Sequence, residues 1–116
     1  MQQSIKSTEI YLKVNLDNEN VPDEIFWKTT NNPEQDWIKA KAFLLSIFED
    51  QSKDTLKLDI WSKDFQLNEM DRFMYHSLKA MCETYVKATN NNELANQFMN
   101  FVNYFGEKTQ IISPSA

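Results

Sequence analysis

The sequence predicts an α+β fold in which a four-stranded antiparallel sheet is followed by two C-terminal helices packed on one face. Apolar and polar residues alternate in segments before residue 62, which is typical of half-buried strands. After the segment SKDFQL the apolar period changes to about 3.6, which is typical of amphipathic helices. The chain has one glycine and twelve asparagines, and asparagine tolerates turn conformations, so NLDNENVPD, TTNNPEQD and ATNNNE are interpreted as turns.

The first two predicted strands flank the turn NLDNENVPD. In EIFWKTT, Ile25 and Trp27 share one face of a short second strand, and Phe26 lies on the other face. In STEIYLKVNLD the alternation is longer and regular. One side of this first strand carries four apolar residues: Ile10, Leu12, Val14 and Leu16.

Residues 37–50, WIKAKAFLLSIFED, are compatible with either a helix or a strand. Their Ala, Lys and Leu content favours a helix, whereas the alternation in the next segment, DTLKLDIWSK, favours a strand that needs a partner. We predict a hairpin, because DQSKD has the length of a hairpin loop and strand four would otherwise lack its nearest neighbour in sequence. The predicted register pairs Phe43 with Trp61, Leu45 with Asp59 and Ile47 with Lys57.

Two helices are predicted in the last third of the chain. Asn68 can cap the first helix, with Asp71 three residues later in a position that resembles a capping box. The second helix follows TNNNE, and Gly106 is placed to end it. The apolar stripe that defines the core side of the first helix is Met70, Met74, Leu78, Met81 and Tyr85.

Length and charge limit the class of protein. A chain of 116 residues predicts a single α+β domain over residues 1–108, with a flexible C-terminal tail at 109–116. The net charge of -5 argues against a nucleic-acid partner, because phosphate binding needs a surplus of cations. A single cysteine and the lack of an apolar leader predict a cytoplasmic location. No apolar run approaches the roughly 18 residues of a membrane span, so we expect no direct membrane insertion.

The only histidine and the only cysteine, His76 and Cys82, fall on the first predicted helix. They are about 120° apart around the helix and about 9 Å apart along it, so their side chains cannot meet. His76 points away from the apolar stripe and is predicted to be solvated, and Cys82 is predicted to be a small buried thiol. We therefore predict no catalytic residue, no metal site and no cofactor.

Five segments carry a resemblance that covers nearly the whole chain. In order and spacing they resemble the family of the gliding-motility protein GldC: NVPDEIFW, AKAFLLSIFED, TLKLDIWSKDF, NEMDRFMYHSLKAMCETYVKATNN and FVNYFGEK. The resemblance implies a small cytoplasmic protein that supports gliding motility. It implies no catalytic residue, because none is established in that family.

Two functions from different classes remain open. The first is a non-enzymatic interaction or adaptor module of the motility or secretion apparatus, with protein partners that the sequence does not identify. The alternative is a holdase chaperone, because four antiparallel strands followed by two helices are also the arrangement of the export chaperone SecB. An enzyme is a distant third.

The sheet face opposite the helices is predicted to be an interaction surface. If the alternating apolar residues of the strands face the helices, the intervening aromatic residues must face outward. A large exposed apolar patch on such a face indicates a protein interface, and a homodimer is the expected form. The alternative is that the tail or a long loop folds over this face. The predicted interface residues are Tyr11, Phe26, Phe43, Leu45, Ile47 and Trp61, with Lys13, Lys41 and Asp59 at the rim.

Overall fold

The computed structural model describes residues 6–30 and 36–114 of the chain. It divides into two compact units, one that ends at Phe65 and one that begins at Gln66. The first unit contains antiparallel strands in two sheets, and the second contains two helices. The predicted α+β class, with strands first and helices last, is therefore confirmed.

A three-stranded antiparallel sheet is formed by β1 (Ile10–Leu16), β2 (Pro22–Thr29) and β3 (Ile38–Ala40), in that spatial order. The two longer strands fall where the sequence predicted them. Leu12 pairs with Trp27, and Ile25 is fully buried. Paired residues share a face, so the apolar residues of β1 and β2 lie on one side as predicted. The predicted half-burial of β1 is wrong, because Ile10 and Leu16 on that side are 70 and 54 % exposed.

The second sheet is a hairpin of β4 (Ala42–Phe48) and β5 (Thr55–Trp61). The choice of a hairpin over a helix for residues 37–50 is confirmed. This segment forms two strands, because a bend at Lys41 separates β3, which pairs with β2, from β4, which pairs with β5. The described chain therefore has five strands where four were predicted.

The predicted register of the hairpin is wrong by one residue. Phe43 pairs with Ile60, Leu45 with Leu58 and Ile47 with Leu56. The cause lies in the connection, where Glu49 donates its N–H to the carbonyl of Asp54 (2.9 Å), which extends the pairing beyond β4 and β5. Lys53 closes the turn in the left-handed conformation (φ 64°), which the sequence does not signal because lysine is not a typical turn residue there.

Asparagine takes left-handed turn positions, as predicted. Asn20 (φ 63°) lies in the turn between β1 and β2, and Asn90 (φ 57°) ends the first helix. The other non-glycine residues with positive φ in the described ranges are Lys53 and Gln110. The predicted turn TTNNPEQD falls mainly on residues 31–35, which lie outside the described residues.

Helix α1 (Leu67–Thr89) begins two residues earlier than predicted. The cap is Gln66 rather than Asn68, and its backbone N–H donates to the carboxylate of Glu69 (3.1 Å). Glu69 stands three residues after the cap, so this arrangement is a capping box with different members from those predicted. Helix α2 (Asn92–Lys108) is capped by Asn91, whose side-chain oxygen accepts the N–H of Leu94 (3.1 Å).

The centre of the helical unit also differs from the prediction. Tyr75 and Cys82 are the buried residues of α1, whereas Met81, on the predicted stripe, is 56 % exposed. Gly106 does not end α2, which continues to Lys108. A Cβ atom at Gly106 would lie only 2.6 Å from Tyr75 Cε1, so glycine is needed here for close packing.

The segment after α2 folds back onto the helix end. The N–H groups of Ile111 and Ile112 donate to the carbonyl of Gly106 (2.9 and 3.2 Å). These bonds satisfy a carbonyl that the helix leaves without a partner. The single domain at 1–108, the packing of the helices on one sheet face and the flexible tail at 109–116 stay predictions.

Candidate functional site

One face of the β4–β5 hairpin is entirely apolar. The register places three cross-strand pairs on this hairpin face: Phe43 with Ile60, Leu45 with Leu58, and Ile47 with Leu56. Exposure is 48 % at Leu58 and reaches 63 % at Leu56, nearer the tip of the hairpin. A two-stranded sheet has no core of its own and is marginal in water unless something packs on it.

The opposite face of the hairpin is mixed in character. Trp61 pairs with Ala42 there, and Ser46 pairs with Lys57. The Lys57 ammonium forms an ion pair with Asp59 (3.2 Å). Leu44 and Phe48 also lie on this side, 37 and 67 % exposed. The two sides of the hairpin therefore differ in that charged residues stand among the apolar ones only on this side.

A second surface lies on the three-stranded sheet. Tyr11, Lys13, Phe26 and Lys28 share one face, because Tyr11 pairs with Lys28 and Lys13 pairs with Phe26. The Trp37 ring packs edge-on against Tyr11, with ring centroids 6.4 Å apart. The ammonium groups of Lys13 and Lys28 stand 4.5 and 4.7 Å from the Trp37 ring centroid. We call these five residues the lysine–aromatic face.

The six residues predicted to form one interface lie in three places. Tyr11 and Phe26 belong to the lysine–aromatic face. Phe43, Leu45 and Ile47 belong to the hairpin face, and Trp61 lies on the opposite side of the same hairpin, 53 % exposed. The one-residue error in register accounts for the separation of Trp61, because a shift of one residue exchanges the two faces of a strand.

Residues that the sequence prediction left out complete both surfaces. Leu56, Leu58 and Ile60 are among the alternating strand residues that were predicted to face the helices, but they pair with the predicted interface residues of β4. Lys28 and Trp37 were not considered at all. Tyr11 with Lys13 and Phe26 with Lys28 repeat the same aromatic–lysine spacing of two residues on adjacent strands, a signal that could have identified this face.

The helical unit carries an apolar groove between α1 and α2. It consists of two neighbouring cavities of about 490 and 510 Å³, which share Tyr85 and Phe98 in their walls. Small side chains of α1, including Ala80 and Ala88, line one cavity, and Phe101, 52 % exposed, lines the other. Apolar clefts of this size accommodate side chains of a bound polypeptide.

His76 and Cys82 occupy different environments, as predicted. The imidazole of His76 is exposed and packs edge-on against the ring of Tyr75. Cys82 is 3 % exposed, and its thiol donates a hydrogen bond to the carbonyl of Ala95 on α2 (3.3 Å). The thiol therefore contributes to helix packing.

A charged cluster ties the β1–β2 turn to the segment after β5. The ammonium of Lys63 lies 3.0 Å from an Asp17 carboxylate oxygen and 3.8 Å from Asp23. Hydrogen bonds from the Val21 N–H, Lys63 and the Glu19 N–H lower the pKa of Asp17, and the Asp17 carboxylate raises the pKa of Lys63. The Lys63 N–H also donates to the carbonyl of Pro22 (3.0 Å).

Two further pKa values are shifted by local hydrogen bonds. The hydroxyl of the buried Ser62 donates to the Asp64 carboxylate (2.5 Å), which lowers the pKa of Asp64. The hydroxyl of Tyr11 donates to Glu9, and this bond raises the pKa of Tyr11 because it favours the protonated phenol.

Residues 6–30 and 36–114 lack two features that would point to other functions. These ranges contain no cluster of three or more His, Cys, Asp or Glu side chains able to hold a metal ion. Within the same ranges, neither helix combines the length and apolar character that crossing a membrane requires.

Comparison with known proteins identifies a family. The family model described as gliding motility-associated protein GldC-like matches residues 22–111, which is most of the chain. This range includes β2 to β5, both helices and the whole hairpin face. No curated protein and no solved structure gives a significant match.

Proposed function

Because the chain belongs to the GldC-like family of gliding motility-associated proteins, we propose that it is a non-enzymatic interaction module of the motility or secretion apparatus. It acts on the cytoplasmic side by binding other proteins. The functional surface in this proposal is the hairpin face.

The observation that carries the proposal is the apolar hairpin face. Six apolar residues are paired on it, and no charged residue interrupts them. Leu56, Leu58 and Ile47 keep 63, 48 and 46 % of their surface exposed. A contiguous exposed apolar patch on a small protein marks a site where another surface binds.

The surroundings of His76 and Cys82, whose side-chain types often act in catalysis, also fit a binding role. The exposed His76 has an aromatic ring as its neighbour, and the Cys82 thiol is buried and donates to a backbone carbonyl. Neither arrangement places a base beside a nucleophile, which nucleophilic catalysis requires.

A second copy of the chain is the proposed first partner of the hairpin face. Two such faces can pack against each other as two layers, about 10 Å apart, and so cover both. In a twofold arrangement each copy presents the same residues, which suits a face without charges that would repel their own equivalents.

Light scattering on the purified chain tests the homodimer. We expect the wild type to have twice the mass of the 13.7 kDa chain, and Leu45→Asp to be monomeric because a carboxylate cannot be buried in the face. Ser46→Asp is the matched control, since Ser46 is the next residue, on the opposite face, across from Lys57. A monomeric wild type would exclude the homodimer.

Gliding tests the wider proposal. In a gliding bacterium that carries this gene, Leu56→Gln should reduce colony spreading and recovery of co-purified motility or secretion proteins. Leu56 is 63 % exposed, so this substitution costs little folding stability. Ser46→Asp should glide normally, and normal gliding of both variants would contradict a role for the hairpin face.

A holdase chaperone is the second candidate, and the helix groove favours it. The two cavities between α1 and α2 and the hairpin face offer several separate apolar sites, which suit binding of unfolded clients. A holdase should suppress aggregation of several unrelated unfolded proteins. A dedicated adaptor should not suppress any of them.

A further inference from the structure

The lysine–aromatic face brings two lysines to one indole, and the Glu9 carboxylate, which accepts the Tyr11 hydroxyl, stands at its edge. The Lys13 ammonium lies 4.5 Å from the Trp37 ring centroid and 5.3 Å from that of Phe26. The Lys28 ammonium lies 4.7 Å from the Trp37 centroid and 5.8 Å from that of Tyr11. Both cations therefore gather around one indole, where the ring faces attract them.

Neither of these two lysines is neutralised by a carboxylate in the part of the chain that the structure describes. The ion pairs there join other lysines to acids: Lys39 to Glu24, Lys57 to Asp59, and Lys63 to Asp17 and Asp23. With 17 acidic and 12 basic residues, the chain has carboxylates in excess. Two unneutralised cations around one ring repel each other, and an anion shared between them would relieve that repulsion.

We propose that the lysine–aromatic face binds an acidic segment of a partner protein, in which Asp or Glu carboxylates bridge Lys13 and Lys28. This inference rests on the proposed role as an interaction module and adds a second, electrostatic surface to the hairpin face. The rings of Tyr11, Phe26 and Trp37 form the apolar floor beneath the carboxylates. Aromatic residues of this kind supply much of the binding energy in protein interfaces.

The position of β1 gives such a segment a place to lie. The spatial order β1-β2-β3 makes β1 an edge strand of its sheet. An extended peptide can run beside an edge strand and bond to its free backbone groups. Alternate side chains of that peptide then project toward Tyr11 and Lys13 of β1, on the lysine–aromatic face.

The same geometry disfavours single-stranded nucleic acid. Proteins that bind single strands leave aromatic rings open so that bases can stack on them. Here the lysine ammonium groups stand over the rings, so a base could stack only by displacing them. The net charge of -5 also opposes a long polyanion, whereas a short acidic segment experiences mainly the local lysines.

Peptide binding to the full-length chain tests this inference. The probe is a short fluorescently labelled peptide of alternating Glu and Ser, and its binding is measured by fluorescence anisotropy. A peptide of alternating Gln and Ser is the uncharged comparison. We expect only the acidic peptide to bind, and expect Lys13→Gln/Lys28→Gln to weaken binding at least about tenfold. The control Lys53→Gln/Lys57→Gln removes the same net charge from the hairpin and should bind within about twofold of wild type.

Three results would overturn the inference: no binding of the acidic peptide, equal losses in the two double variants, or tighter binding of oligothymidylate than of the acidic peptide. Circular dichroism on both variants confirms that they are folded. The measurement uses the purified chain alone, so its outcome is separate from gliding. If the acidic peptide does not bind but Leu56→Gln still impairs gliding, only the acidic partner is rejected and the proposed function stands.

Discussion

The single glycine of the chain is used for its small size rather than for backbone freedom. Gly106 lies inside α2, and an added Cβ would stand 2.6 Å from Tyr75 Cε1 and 2.9 Å from Ile112 Cγ1. Its φ is not positive, so no left-handed conformation requires glycine. The close contact between α2, the ring of Tyr75 and the returning chain at Ile112 therefore depends on this position.

Gly106→Ala should destabilise the protein although alanine is the better helix former. The propensity gain is about 1 kcal/mol, while overpacking against the buried Tyr75 ring costs about 1–3 kcal/mol. We expect a net loss of order 1 kcal/mol in the free energy of unfolding, measured by urea denaturation. Asn103→Ala, at an exposed position of α2, is the control and should not destabilise. Equal or greater stability of Gly106→Ala would show that Tyr75 moves aside freely.

At the scale of single residues, the sequence correctly predicted burial or exposure where it follows from helical geometry alone. The exposed His76 and the buried Cys82 agree with their angular positions on α1. Lys53 and Gln110 could not be predicted as left-handed turn residues, because their side chains carry no preference for that conformation. Gly106 was wrongly predicted to end a helix. Its actual role, close contact with Tyr75, depends on tertiary packing and cannot be predicted from the local sequence.

At the scale of elements, the hairpin could be predicted and its details could not. The alternation in β5 required a partner strand, and β4 is that strand. The bend at Lys41 carries no proline or glycine to signal it. The register depends on the turn at Lys53, which the sequence does not signal. The predicted pairing of β4 with β5 was therefore shifted by one residue, and Trp61 was placed on the same face as Phe43, although the two lie on opposite faces.

The Asp17–Lys63 pair should give the protein an acid-sensitive contact between elements. The folded-state pKa of Asp17 lies below its ordinary value of 3.8, so its stabilising effect is complete above that pH. The effect is lost as the pH falls through the lower folded-state pKa. Asp17→Asn should therefore be less stable than wild type at pH 7, with the difference shrinking below about pH 4, measured by urea midpoints across pH.

Lys63→Gln separates the two causes of this pH dependence. It removes the ion pair, but the N–H groups of Val21 and Glu19 still donate to Asp17. Part of the acid dependence should therefore remain. A stability difference between Asp17→Asn and wild type that stays constant from pH 7 to pH 2 would contradict the assignment.

For the whole molecule, the two proposed interactions should respond to salt in opposite directions. Two copies with a net charge of -5 repel each other, so added salt should strengthen a dimer formed through the apolar hairpin face. The same salt should weaken binding of the acidic peptide to Lys13 and Lys28. Light scattering and anisotropy at low and high NaCl measure both. Dissociation of the dimer by salt would indicate an interface held by charge instead.

The order of the elements and the fold class could be predicted from the sequence. The surfaces formed by residues of several strands could not. Periodicity distinguishes strands from helices, and it correctly placed the change at the start of α1 to within two residues. A surface requires the register of every strand that contributes to it. The lysine–aromatic face further depends on Trp37, which lies outside the strands and reaches Tyr11 only in the folded chain.

The register of the hairpin also limits how the gene can change in length. A residue gained or lost between Ser46 and Phe48 would bring Ala42 and Ser46 to the apolar side and turn Leu45 to the opposite side. A residue gained in the connection between Phe48 and Thr55 would keep the alternation inside each strand, but it would change the turn at Lys53 that sets how the strands pair. Among descendants of this gene, we therefore expect insertions and deletions of single residues to be removed by selection from both strands and from the connection between them.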